Sequence, residues 1–192
     1  MIIGIVGQIA VGKGVLVKYL VKKFGFYSFS LSSIVHEELK KRKIKKFDRK
    51  TLQDIGNDLR KKYGDDVLAK RAVKNLKSQI SNLKNFIIEG IRNPSEVAYI
   101  KSLPNSFIIG IKAKRELRFK RLLKRAKPWD PKNWNDFLKI DRRDLGKGED
   151  KSGQNVSKCL AYCDYVLTNN KDKKDFEKKV GKLTRKIFNQ KT

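Results

Sequence analysis

Residues Gly7 to Gly14 read Gly-Gln-Ile-Ala-Val-Gly-Lys-Gly and stand between the apolar run Ile2, Ile3, Ile5, Val6 and the helically spaced Leu16, Val17, Leu20, Val21, Phe24. A strand, a glycine loop and a helix in that order leave the start of the chain one arrangement. The glycines let backbone N–H groups turn inward and the helix adds its positive end, so the loop becomes a cradle for a polyphosphate. Gly7, Ala10, Val11, Gly12, Gly14 and Val15 supply the cradle, and Lys13 reaches the terminal phosphates as a point charge. Such loops usually follow the lysine with Ser or Thr, whose hydroxyl holds Mg²⁺. Here Gly14 and Val15 follow, and neither carries a hydroxyl.

Further apolar runs at 26–31, 86–88, 106–111 and 165–168 alternate with long segments of helical periodicity. That alternation predicts an α/β fold, a five-stranded parallel sheet with helices on both faces. Leu117, Leu122 and Leu123 mark one helix, and Phe176, Val180, Leu183 and Ile187 mark the last. Residues 126–155 break the pattern with Pro128, Trp129, Pro131, Trp134, dense charge and three glycines, and read as a mobile insertion over the site. The 192 residues suit a single domain without repeats or linkers.

Against 20 Asp and Glu stand 47 Lys and Arg, a formal charge of +27 that draws anionic partners: nucleotides, coenzyme A derivatives, RNA or anionic membranes. Runs such as Lys40-Lys41-Arg42-Lys43 read as solvated faces, and Trp129 and Trp134 lack the spacing of a base-stacking platform. Nucleic acid is thus a partner that the charge admits and no motif supports. No stretch approaches the roughly 18 apolar residues of a membrane helix and the N-terminal run lacks a signal's basic start, so a cytoplasmic chain with no membrane partner is expected. Cys159 and Cys163, with a single histidine in the chain, lack the partners of a zinc site and read as buried or half-buried thiols.

In a parallel sheet ligands bind beyond the carboxyl ends of the strands, which brings Glu89 and Arg92 beside the glycine loop. A carboxylate there can hold the hydration shell of Mg²⁺, and an arginine can grip a phosphate by two parallel hydrogen bonds. Arg118, Arg121 and Arg125 recur at helical spacing on roughly one face, where three guanidinium groups repel unless anions separate them. A polyphosphate contact is expected, with Arg142 and Arg143 closing over the same phosphates.

Together these residues resemble the nucleoside monophosphate kinases, adenylate kinase among them. The loop ending Gly-Lys-Gly is theirs, Ile88-Glu89-Gly90-Ile91-Arg92 is similar to their Asp-Gly-Phe-Pro-Arg, and Arg118 to Arg125 resembles the arginines entering their lid. Asn57-Asp58-Leu59-Arg60 with Tyr63-Gly64, Arg92 to Val97, Gln154-Asn155-Val156 and Asp164 to Asn170 resemble a further set of P-loop kinase-like proteins, relatives of dephospho-CoA kinase and deoxynucleoside monophosphate kinase. The resemblance implies a three-layer P-loop kinase fold with a lid at 126–155 and an acceptor-binding part at 27–75. It implies transfer of the ATP γ-phosphoryl group, with Mg²⁺, to a nucleoside or deoxynucleoside monophosphate, or alternatively dephospho-CoA kinase-like chemistry. The implied catalytic set is Lys13, Glu89, Arg92, Arg121 and Arg125, with Arg118, Asn169 and Asn170 near ATP, Ser30, Ser32, Ser33, Arg60 and Arg92 near the acceptor, and Glu89 reaching the metal through water. Two positions depart: Val15 stands where Thr is usual, and His36, read as a helix-surface residue, where an arginine is common. A reading of another class, a nucleotide-gated RNA-binding protein with little turnover, draws on the charge and the missing hydroxyl.

Overall fold

A computed structural model describes residues 1–79 and 85–189. Each apolar run is a strand: β1 (Ile2–Val6), β2 (Tyr27–Ser30), β3 (Phe86–Ile91), β4 (Ser106–Lys112) and β5 (Tyr165–Thr168). They pair in parallel in the order β2-β3-β1-β4-β5. Central strands are covered on both faces, so neighbouring apolar residues serve opposite cores. Ile88 and Ile108 face one cluster with α2 (Leu31–Lys41), α3 (Arg49–Tyr63), α4 (Val67–Gln79), α5 (Pro94–Lys101) and α8 (Val156–Ala161). Ile87 and Ile109 face the other with α1 (Lys13–Phe24) and α9 (Lys173–Asn189), where Phe176, Val180, Leu183 and Ile187 are all buried as their spacing requires. This is the five-stranded, three-layer fold read from the sequence.

The remaining helices, α6 (Arg115–Arg125) and α7 (Trp134–Asp144), form a third cluster in which Leu122 and Phe137 close on Ile9 of the glycine loop. Helix α7 gives the 126–155 segment, read as an insertion over the site, a regular element of its own. Asn133 caps it by accepting from the Asp136 amide at 2.9 Å, and Phe137, Asp141 and Asp144 form its buried face. Helix α6 also differs from expectation: Leu123 is 44 % exposed while Arg118 is 2 % exposed. The cause is Asp141, a buried counter-ion that makes the guanidinium the inward-facing group. Cys159 is buried and Cys163 half-buried, the burial that their reading as thiols predicts. His36 is no plain surface residue; it is half-buried, its ring centred 5.6 Å from Phe47 and 5.2 Å from Trp129. No described helix is long and apolar enough to cross a membrane.

Candidate functional site

The glycine loop joins β1 to α1 and curls because Gly12 adopts φ +104°, a left-handed conformation open to glycine. A Cβ at Gly12 would also collide with the Asn169 amide, which donates 2.8 Å to the Val11 carbonyl and braces the loop from behind. Lys13 Nζ folds over the loop and donates to the Gly7 carbonyl at 2.7 Å and to the Gln8 carbonyl at 3.0 Å. Burial of the ammonium, reinforced by the Arg92 cation, lowers its pKa to about 7. Carbonyl dipoles hold the group but give it no full counter-charge.

In front of the loop lies a cleft of about 860 Å³, lined by residues 10–15 of the loop and α1, by Glu89, by Arg121, Arg125 and Lys127, and by Lys173 and Glu177 of α9. Glu89 arrives there through a bulge: Ile5 pairs with Glu89 and Val6 with Ile91, so Gly90 at φ +85° is the extra residue. Among the described residues no three His, Cys, Asp or Glu side chains gather into a group that could hold a metal ion, and the carboxylates lining the cleft are Glu89 and Glu177. A second cavity, of about 50 Å³, lies between α2, α3 and the end of β3, lined among others by Ser32, Arg49, Gln53, Arg60, Gly90 and Arg92.

A family described as AAA domain matches residues 6–137. UPF0200 proteins of Pyrococcus horikoshii and Thermococcus kodakarensis are each 30% identical, over 191 and 193 residues, covering 98% and 99% of this chain and 98% and 100% of theirs. The chain belongs to the AAA-domain family and to the UPF0200 proteins. Its fold is that of P-loop kinases: a dephospho-CoA kinase from Campylobacter jejuni superposes with TM-score 0.57 at 18% identity, over 100% of this chain and 98% of that one. A shikimate kinase from Acinetobacter baumannii in complex with shikimate gives 0.58 at 14%, over 99% and 94%. At these identities the likeness concerns the fold.

Within this UPF0200 chain, Lys13, Glu89, Arg121 and Arg125 converge on the large cleft with Ala10, Val11, Gly12, Gly14 and Val15. Arg118 does not; its guanidinium lies buried and forks onto Asp141 at 2.5 and 3.0 Å. Arg92 pairs with Asp144 at 2.5 Å, and Arg125 with Asp130 at 2.7 Å. Of these four arginines only Arg121 has carbonyl partners alone, on Asn169 and Lys171. Arg143 turns away from the cleft to Asp54 and Glu149, and Arg142 is exposed. Asn170 accepts from the Lys114 amide at 2.8 Å, a loop brace like Asn169. Ser30 and Ser33 bond to Ser32 and to the Ser30 carbonyl and leave Ser32 on the small cavity, where Arg60 is tied to Glu96 at 2.8 Å.

The anions that separate the arginines are therefore carboxylates of the 126–155 segment. Asp141 also accepts from Gln8 at 2.6 Å and from Arg115 at 2.8 Å, and Asp144 accepts from the Ile9 amide at 3.3 Å. Sequence reasoning missed Asp130, Asp141 and Asp144. The available signal was the spacing Phe137, Asp141, Asp144, one helical face bearing two acids.

An anion in the cradle gives Lys13 the counter-charge it lacks and raises its pKa. Binding of inorganic triphosphate at about pH 8 should therefore take up close to one proton, and the uptake should fade below about pH 6, where Lys13 is already charged. Affinity should weaken as pH rises above about 7. Calorimetric titration in buffers of different ionisation enthalpy measures the uptake; the same uptake in Lys13→Met would assign it to another group.

Proposed function

We propose that this chain transfers the γ-phosphoryl group of ATP to a small acceptor. The observation that carries the reading is Lys13, poised without a full counter-charge over the loop carbonyls, on the same cleft as Glu89 and Arg121. The loop amides and Lys13 hold the donor phosphates, and Arg121 meets the negative charge of the transferring group. A carboxylate at the loop end of the cleft suits Mg²⁺, which dehydrates reluctantly and is commonly bound through one or two carboxylates together with phosphates. Glu89 would hold the ion through its waters, and the ion would supply charge neutralisation for the donor phosphates. Residues 27–75 form the acceptor part in this reading, and 126–155 act as the lid that excludes water, with α7 as its rigid element.

The acceptor expected from the resemblance is a nucleoside or deoxynucleoside monophosphate. The dephospho-CoA kinase-like alternative differs in presenting a hydroxyl. A panel of both acceptor classes, tested for acceptor-dependent release of ADP from ATP with Mg²⁺, tests the proposal. Stimulation of ADP release by one class is expected. ADP release that no acceptor raises, together with RNA retention at moderate salt, would favour the nucleotide-gated binding reading instead.

A further inference from the structure

Beyond the glycine loop the large cleft runs on between two helices. Its lining continues down α1 through Lys18, Tyr19, Lys22 and Lys23 and meets Lys173 and Glu177 of α9. A further depression of about 560 Å³ takes over at Tyr19 and Glu177 and follows α9 past Lys174, Lys178, Lys182 and Arg185. The two share residues and so form one groove. Spacings of four, four and three put those four cations on one helical face, and at 1.5 Å per residue they span about 16 Å. Gly181 lets the helices meet there, since a Cβ would stand 3.0 Å from the Tyr19 hydroxyl.

The fold leaves the cations of this groove without acids. Among the described residues, Lys18, Lys22, Lys23, Lys174, Lys178 and Lys182 are exposed and have no carboxylate within ion-pair reach, because Glu177 is taken by Lys173 at 3.5 Å and Asp175 by Lys179 at 2.8 Å. The arginines around Lys13 are different: Arg92, Arg118 and Arg125 each have an aspartate. Like charges one turn apart repel, so an unpaired row of them favours a polyanion laid along it. A phosphodiester chain supplies its charges at regular intervals. An anionic bilayer fits less well, because a helix that lies on a membrane needs an apolar face, and Phe176, Val180, Leu183 and Ile187 of α9 are spent in the core. The recess between two packed helices admits one flexible backbone, whereas a rigid duplex would rest on its rims alone.

We propose that the groove between α1 and α9 binds the backbone of a single-stranded nucleic acid. Its lysines meet phosphates and do not read base edges, so affinity follows salt and strand length and is indifferent to sequence. The groove lies on the face of the sheet opposite α2, α3 and α4, which makes the strand a partner distinct from the small acceptor. The inference stands apart from phosphoryl transfer and holds whether or not the chain catalyses it.

The test titrates the full chain into a fluorescein-labelled strand of about twelve uridines and follows anisotropy between 50 and 200 mM KCl. With the six lysines engaged, affinity should fall with salt at a logarithmic slope of about −4, a loss of about 300-fold over that range. Lys22→Gln, Lys178→Gln and Lys182→Gln together should make the slope shallower by about 2, and because all three side chains are exposed the variant should fold. Lys41→Gln, Lys45→Gln and Lys46→Gln remove the same charge from an exposed run at the end of α2 and should leave the slope nearly unchanged. An equal change in the two triple variants would assign binding to net charge alone and overturn the groove. Tighter binding of a duplex of the same length, or retention of phosphatidylserine vesicles lost in the groove variant while the uridine strand stays free, would overturn the single strand as its occupant.

Discussion

Replacing Lys13 with methionine is expected to lower phosphoryl transfer by about a thousandfold, the order of effect found when a preorganised electrostatic group is removed from a transferring centre. The ammonium folds onto the Gly7 and Gln8 carbonyls and supports no core, so the variant should fold. Stability should change in a direction that identifies the group. Folding lowers the Lys13 pKa from 10.5 to about 7, so between those values the unfolded chain binds the extra proton and the native state gains stability as pH rises. Below about pH 7 both states are protonated and the native state carries the full penalty of a desolvated cation. Lys13→Met should therefore melt higher than the parent at pH 6, with the difference narrowing toward pH 10. Melting curves of both proteins across that range check the sign; equal or lower melting of the variant at pH 6 would show that the ammonium is well solvated. The combination of a dead site and a firmer fold separates a strained binding lysine from a structural one.

Asp141→Ala should be the most destabilising single change in the site. Its carboxylate is fully buried and takes Arg118 through two hydrogen bonds, Arg115 through one and Gln8 through one. Truncation leaves Arg118, itself 2 % exposed, as a buried charge without its acid. Breaking such a pair costs about 3–5 kcal/mol, and at about 2–4 °C per kcal/mol for a chain of this size the melting temperature should fall by about 10 °C. Replacing both partners with apolar groups, Arg118→Met with Asp141→Leu, should recover most of the loss, because neither charge then needs a partner. Thermal melts followed by circular dichroism would decide the matter. A loss below about 1 kcal/mol for Asp141→Ala would mean that Arg118 reaches water when α7 loses its acid.

The fold was legible for a physical reason. Parallel strands buried on both faces are short unbroken apolar runs, and Ile2 to Val6, Phe86 to Ile88 and Ser106 to Ile111 announce themselves as such. Helix α9 was equally legible, since Phe176, Val180, Leu183 and Ile187 recur with the helical period. Helix α7 was not, because its buried face carries Phe137 and two aspartates, and hydrophobic periodicity cannot register a carboxylate as an inward residue. The same blindness exchanged Leu123 for Arg118 on α6.

By itself the sequence determined the glycine loop, its lysine, the strands that frame it and the arrival of Glu89 at the carboxyl end of β3. Each of these depends on residues close together in the chain, where local backbone conformation and side-chain period settle the outcome. It also determined that the arginines of α6 need anions between them. Only the tertiary structure decided which anions: Asp141 comes from 23 residues beyond Arg118, and Asp144 lies 52 residues beyond Arg92. Charge pairing across such separations leaves no periodic trace, because a buried ion pair is set by the meeting of two surfaces and each partner alone reads as an ordinary solvated charge.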